Sequence, residues 1–186
     1  MYWPVLDKKE GYWLSPFSDR NGLERILGEL EGATVPVMLD LELPTTQHPR
    51  LYLSQAPYFF RNKKTIRHFI DSYKGDVYLA EYYPDKDRLF STLGIHYRSE
   101  SAQVIKMFYH SLHRFDPAKF EVRVRHEFMK YNRRFITGFG TIATGVQGKE
   151  PILSVAQLKA DLEIARKSGV REAVIFRLGG LGKTYA

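Results

Sequence analysis

Three carboxylates stand at the ends of apolar runs. Val35-Pro-Val-Met-Leu-Asp-Leu-Glu-Leu-Pro44 carries Asp40 and Glu42, two residues apart. On an extended strand, side chains two apart share a face, about 6.5–7 Å from one another along the chain. Leucines flank both. Apolar surroundings disfavour the charged form of a carboxyl, so this pair is placed to hold a proton near neutral pH, as a general acid must. The third, Glu81, ends the run Asp76-Val-Tyr-Leu-Ala-Glu81. If the two runs are neighbouring strands, Glu42 and Glu81 face one another across a small gap. Carboxyls about 5–5.5 Å apart suit a retaining glycosidase, and about 6.5–9.5 Å an inverting one. The competing structural reading pairs Asp40 and Glu42 with arginines, and Glu81 with Arg88 or Lys86.

Other side chains have the right chemistry to bind a substrate. Tyr82 and Tyr109, with Tyr12, Trp13, Tyr83 and Phe108, cluster at expected strand ends, where flat rings pack in the core or stack on sugars and bases. His110 and His113 are three apart but lack a third ligand nearby, so no metal is expected. Arg177-Leu-Gly-Gly-Leu-Gly-Lys-Thr184 resembles a phosphate loop, but Arg177 stands where the loop's first glycine belongs and only two residues follow Thr184. The helix that would receive a phosphate is missing, so no ATP site and no other cofactor is expected. Gly138–Gly145 and Arg177–Gly180 read instead as turns that hold an anion or a carboxylate sugar.

Composition bounds the class. The chain has 186 residues, 44% hydrophobic and 26% charged, which excludes a disordered polymer. No cysteine is present, so disulfides, thiolate nucleophiles and Cys-based metal sites are excluded. The longest uncharged stretch, Phe135–Gly148, has 14 residues, and a membrane-spanning helix needs roughly 20. The first residues lack a basic region followed by an apolar run, so no secretory signal is visible and a cytoplasmic location is expected. Lys and Arg number 28 against 21 Asp and Glu, a net charge of +7. That excess favours an anionic partner. Basic residues from Lys119 to Arg134 are interleaved with Glu121 and Glu127 and read as a solvated helix face.

The elements that must position these residues alternate. Expected strands are Tyr2–Leu6, Tyr12–Phe17, Val35–Leu43, Asp76–Tyr83, Gln103–Ser111, Arg134–Ala143 and Ala173–Leu178. Several are apolar on both faces, as strands of a parallel sheet covered by helices must be. Expected helices are Arg20–Leu30, Phe60–Tyr73, Pro117–Tyr131 and Val155–Lys167, the last two with Asp116 and Ser154 as N-caps. This order predicts an α/β fold in one domain, residues 1–186. A parallel (β/α) TIM-type barrel is preferred to a doubly wound sheet, because no glycine-rich fingerprint follows the first strand and polar residues end many strands. Eight-fold barrels usually have about 250 residues, so this one is expected to be shortened or incomplete, or one piece of a longer product.

Asp40-Leu-Glu42 resembles the last part of the Asp-x-x-Asp-x-Asp-x-Glu strand motif of family-18 chitinases. Met107-Phe-Tyr109-His110 resembles their Met-x-Tyr-Asp/Asn strand, and Arg134–Gly140 is similar to the strand that follows it. The order and rough spacing agree over residues 35–178. The resemblance implies a barrel that cleaves N-acetylglucosamine polymers, with Glu42 as general acid, Asp40 orienting the substrate acetamide and Tyr109 as a partner to that acetamide. Val35 and Met38 stand at the motif's two upstream Asp positions, His110 replaces its Asp or Asn, and the last strand lacks the family's Trp. The leading expectation is therefore a glycoside hydrolase-like barrel acting on or binding a saccharide or glycoconjugate. Asp40, Glu42 and Glu81 would be catalytic, and Tyr82, Tyr109, His110 and Arg177 would contact substrate. The alternatives are a non-catalytic saccharide-binding barrel and a basic nucleic-acid-binding domain.

Overall fold

The computed structural model describes residues 1–44, 49–82, 86–112, 115–143 and 151–177. The chain divides into two compact units, Met1–Gln103 and Val104–Ala186. In each, strands pair in parallel and helices separate them in sequence.

The first unit holds α1 (Arg20–Gly28), β1 (Val37–Leu41), α2 (Leu51–Ser54), α3 (Phe59–Ser72), β2 (Val77–Tyr82) and α4 (Asp87–Leu93). The Asp19 carboxylate accepts a hydrogen bond from the Gly22 N–H at 3.0 Å and so caps α1. β1 and β2 run parallel, with Val37 opposite Val77 and Leu41 opposite Glu81. Val37, Leu39 and Leu41 share one face with Val77 and Leu79. They pack on Leu23, Ile26 and Leu27 of α1 and on Ile66, Phe69 and Ile70 of α3. Each such side chain, fully buried, contributes about 1.5–3 kcal/mol. Met38 and Asp40 point to the opposite face and are buried as well. The apolar character of this strand on both faces thus has its cause.

Two expected strands are absent. Tyr2–Leu6 supplies one parallel bridge, Tyr2 to Val37. Tyr2 N–H donates to the Pro36 carbonyl at 2.7 Å, and Met38 N–H to the Tyr2 carbonyl at 2.8 Å. Pro4 has no N–H to continue the ladder. Tyr12–Phe17 forms turns. Tyr12 has φ of 62°, a left-handed conformation. The Ser18 hydroxyl donates to the Trp13 carbonyl at 2.7 Å and accepts from the Ser15 N–H at 3.0 Å. These side chains take the backbone groups that a strand would have used.

The second unit holds β3 (Gln103–Met107, its first residue at the boundary), α5 (Pro117–Tyr131), β4 (Phe135–Gly140), α6 (Val155–Lys167) and β5 (Ala173–Phe176). β3 pairs with β4 and β4 with β5, both in parallel. The caps are as expected: Asp116 accepts from Lys119 N–H at 3.0 Å and Ser154 from Gln157 N–H at 3.1 Å. Phe108 and Phe120, both fully buried, meet edge to face at 5.4 Å and join the end of β3 to α5.

The α/β class with parallel strands is what the sequence predicts. Among the described residues there are five strands, where a complete barrel needs eight. A full TIM barrel is therefore not formed by them. No helix among them is long and apolar enough to cross a membrane.

Candidate active site

The carboxyl pair sits at the C-terminal end of β1. The register sets Asp40 opposite Ala80 and Leu41 opposite Glu81, so Asp40 and Glu42 share the face turned away from α1 and α3. Asp40 is buried, and its Oδ1 has no hydrogen-bond partner among the described residues. Glu42 is half-buried. Burial pushes the Glu42 carboxyl up to about 7. Burial, helped by the charge of Glu42, holds Asp40 well above the usual carboxylate range. Glu42 therefore stays partly protonated at neutral pH, which allows it to give up a proton there. Tyr82 adjoins them. Its phenol is raised by burial and then by the Glu42 charge.

Aromatic residues of the N-terminal segment reach the same strand. Leu14 N–H donates to the Asp40 carbonyl at 3.0 Å, which lays residues 12–14 against the end of β1. Tyr12 meets Trp13 edge-on at 5.5 Å and Trp3 at 6.3 Å. Both tryptophans of the chain thus adjoin β1.

Glu81 does not join this pair. β1 and β2 are neighbours, as expected, but the register turns Glu81 to the helix-covered face with Leu41. There it is fully buried, and His96 Nδ1 lies 2.9 Å from each of its oxygens. His96 Nε2 is 3.4 Å from Asp87 Oδ2 in the first turn of α4. The expected partners were Arg88 or Lys86; the ring of His96 fills that role. Gly94 ends α4 with φ of 71°, and a Cβ there would overlap the Pro16 ring. That close approach fixes the chain just ahead of His96.

The remaining site residues belong to the second unit. The Tyr109 ring stacks on Phe176 at 6.4 Å and 25°. A Cβ on Gly140 would come within 3.3 Å of Tyr109 Cε1 and 3.2 Å of the Phe176 carbonyl oxygen, so the bare backbone makes room for that stack. His110 turns to the helices. Its Nδ1 lies 2.9 Å from Oδ2 of fully buried Asp161 on α6, and the Asp161 Oδ1 accepts from Gln157 Nε2 at 2.8 Å. The ring is gripped edge-on by Phe115 and Phe120 at 4.7 and 4.8 Å. The Ser111 hydroxyl donates to the Gly140 carbonyl and accepts from Thr141 N–H, both at 2.7 Å. Arg177 is exposed. Tyr83, His113, residues 144–145 and the glycine-rich run 178–184 lie outside the described residues. No group of three or more metal-ligating side chains occurs among the described residues.

Two residues escaped the sequence reading. Asp161 had a signal, because it interrupts the apolar stripe of Leu158 and Ala165 on α6 and is buried with them. His96 had none, since it lies in the irregular segment between α4 and β3. Comparison of the sequence with protein-family models, with curated proteins and with solved structures gives no match.

Proposed function

We propose that this chain acts on a saccharide or glycoconjugate as a glycoside hydrolase built on a shortened β/α barrel, with Glu42 as its proton donor. One observation carries this reading: Glu42 follows directly on the end of β1 close enough to buried Asp40 for its charge to raise that carboxyl, and burial holds Glu42 at about 7. Glu42 passes its proton to the glycosidic oxygen as the bond to the anomeric carbon breaks. The resulting carboxylate takes a proton from the water that replaces the leaving group. Asp40 orients the sugar beside it. Tyr82, Trp3 and Tyr12 supply ring faces near the same strand end.

Glu42→Gln keeps the shape and removes the proton. It is expected to lower turnover of an aryl glycoside or polymer by about 10²–10⁴-fold, with the melting temperature at neutral pH no lower than that of the wild type. Wild-type turnover should fall as pH rises past about 7, where Glu42 loses its proton. Equal turnover in the variant would exclude Glu42 as the acid. Val35 and Met38, at the acidic positions of the resembling motif, favour a second reading, a saccharide-binding protein without turnover. Binding by both forms with turnover by neither would select it. Nucleic-acid binding would show itself by affinity that collapses about 10³–10⁵-fold from 50 to 200 mM salt when 6–10 phosphates are contacted.

A further inference from the structure

The segment after β1 is segregated in charge. From Leu43 to Ile70 there is no Asp or Glu, although the chain holds 21. Arg50, Arg61, Lys63, Lys64 and Arg67 all fall within that run. It folds into α2, the Ala56–Tyr58 turn and most of α3.

This edge of the first unit presents large apolar side chains to solvent. Leu53 is 84% exposed, Phe60 83% and Tyr58 40%. A row of packed rings backs Phe60. Tyr52 meets Phe17 at 4.9 Å, Phe17 meets Phe59 at 5.0 Å, and Phe59 meets Phe60 at 5.2 Å. The backing is firm: buried Asn62 donates to the Pro16 and Ser18 carbonyls at 3.0 and 3.2 Å. Some of the cations are occupied. Lys63 Nζ donates to the Ser91 carbonyl at 2.6 Å, Arg67 lies 3.3 Å from Asp71, and Arg61 and Arg20 share Glu24 at 3.7 and 3.0 Å. Arg50 and Lys64 are exposed, and neither has a counter-ion among the described residues.

Large apolar side chains left in water beside cations without counter-ions mark an interaction surface. Its chemistry selects the occupant. Two copies packed face to face would bring together two segments that each carry cations and no Asp or Glu. Sugars and bases stack on ring faces, and Leu53, the most exposed member, has no ring. An anionic bilayer satisfies both features, because aliphatic and aromatic tips enter the headgroup boundary while cations meet the phosphates. We propose that this surface docks the protein on an anionic lipid membrane, with Leu53, Tyr58 and Phe60 inserted and Arg50 and Lys64 at headgroup level. None of these residues belongs to the carboxyl site, so the two readings stand or fall separately.

Co-sedimentation of the full chain with lipid vesicles tests it. Each cation near an anionic surface contributes about fivefold in affinity. Binding to vesicles containing phosphatidylserine should then exceed binding to pure phosphatidylcholine by about thirtyfold, and Arg50→Gln and Lys64→Gln should each remove about fivefold. Leu53→Ser and Phe60→Ser should each cost about tenfold or more with no change in melting temperature, since both side chains are already in water. Met129→Ser, 84% exposed on α5, should change nothing. Equal binding to both vesicle types would overturn the proposal. So would binding that all four patch variants retain, or a concentration-dependent dimer that Leu53→Ser abolishes. Binding to RNA that vanishes with salt and ignores Phe60→Ser, without vesicle binding, would assign the surface to nucleic acid instead.

Discussion

The first unit buries carboxyls in two ways, one on each face of the β1–β2 pair. On the helix-covered face, Glu81 is fully buried and has the His96 ring 2.9 Å from both oxygens. On the other face Asp40 is buried with Oδ1 unbonded among the described residues, and Glu42 follows two residues later. The strands and the residue types are alike; the partner differs. Glu81 and His96 tie the end of β2 to the chain beyond α4, a structural task. Among the described residues no basic side chain is paired with Asp40 or Glu42, and burial works against their charged forms. Burial beside a hydrogen-bonding ring and burial without one are different settings for a carboxyl, and on neighbouring strands the register decides which carboxyl receives which.

The largest effect should come from breaking the paired side. His96→Ala takes the ring from a fully buried carboxyl. Removing one member of a buried pair costs about 3–5 kcal/mol, read as a lower urea midpoint for the whole chain. A loss below about 1 kcal/mol would place Glu81 with Glu42 as a carboxyl indifferent to its partner, and the contrast would fail.

The unpaired side should reveal itself through pH. Glu42 moves from an ordinary value of 4.5 to about 7 on folding. Below 4.5 it is protonated both folded and unfolded and has no effect. Between 4.5 and 7 the unfolded chain gives up the proton while the folded chain keeps it. Stability then falls as pH rises, and the fall is complete above 7. Allowing for partial exposure, the decline is about 2–3 kcal/mol. Asp40 adds a change of the same sign. Urea midpoints measured across this window should fall in the wild type and flatten in Glu42→Gln. A rise over the same range would mean that Glu42 gains a cation on folding.

Much of the frame was legible in the sequence. Pro117–Tyr131 and Val155–Lys167 match α5 and α6 residue for residue, because a cap and an apolar stripe of helical period coincide in both, and Ser168-Gly169 stops the second. β1 and β2 were visible as apolar β-branched runs. The spurious strand Tyr12–Phe17 had the right composition, but Ser15 and Ser18 hold the backbone in turns. α4 was missed, having only seven residues and no buried stripe. For the site, the shared face of Asp40 and Glu42 follows from period two alone. The face of Glu81 does not, since it depends on how β1 and β2 align, and a shift of one residue exchanges the faces. His96 is 15 residues from Glu81 in sequence and meets it only in the folded unit.

The smallest effect isolates burial from pairing. Glu163 on α6 is paired at least as well as Glu81, with Arg166 Nη2 at 2.8 Å and Lys167 Nζ at 3.5 Å. Hydrogen bonding to Arg166, followed by the charges of Arg166 and Lys167, draws its carboxyl down to about 2. A lowered value has the opposite sign to that of Glu42: its stabilisation is present above 4.5 and is lost as pH falls towards 2. Yet the side chains of Glu163 and Arg166 are 45% and 72% exposed. Water already solvates both charges, and salt screens what attraction is left. Glu163→Gln should leave the urea midpoint at neutral pH and moderate salt within experimental error. His96→Ala, which also removes one member of a pair, should not. A clear loss from Glu163→Gln would mean that ion pairing stabilises this chain without burial, and the separation drawn between Glu81 and Glu42 would need a cause other than the dry setting they share.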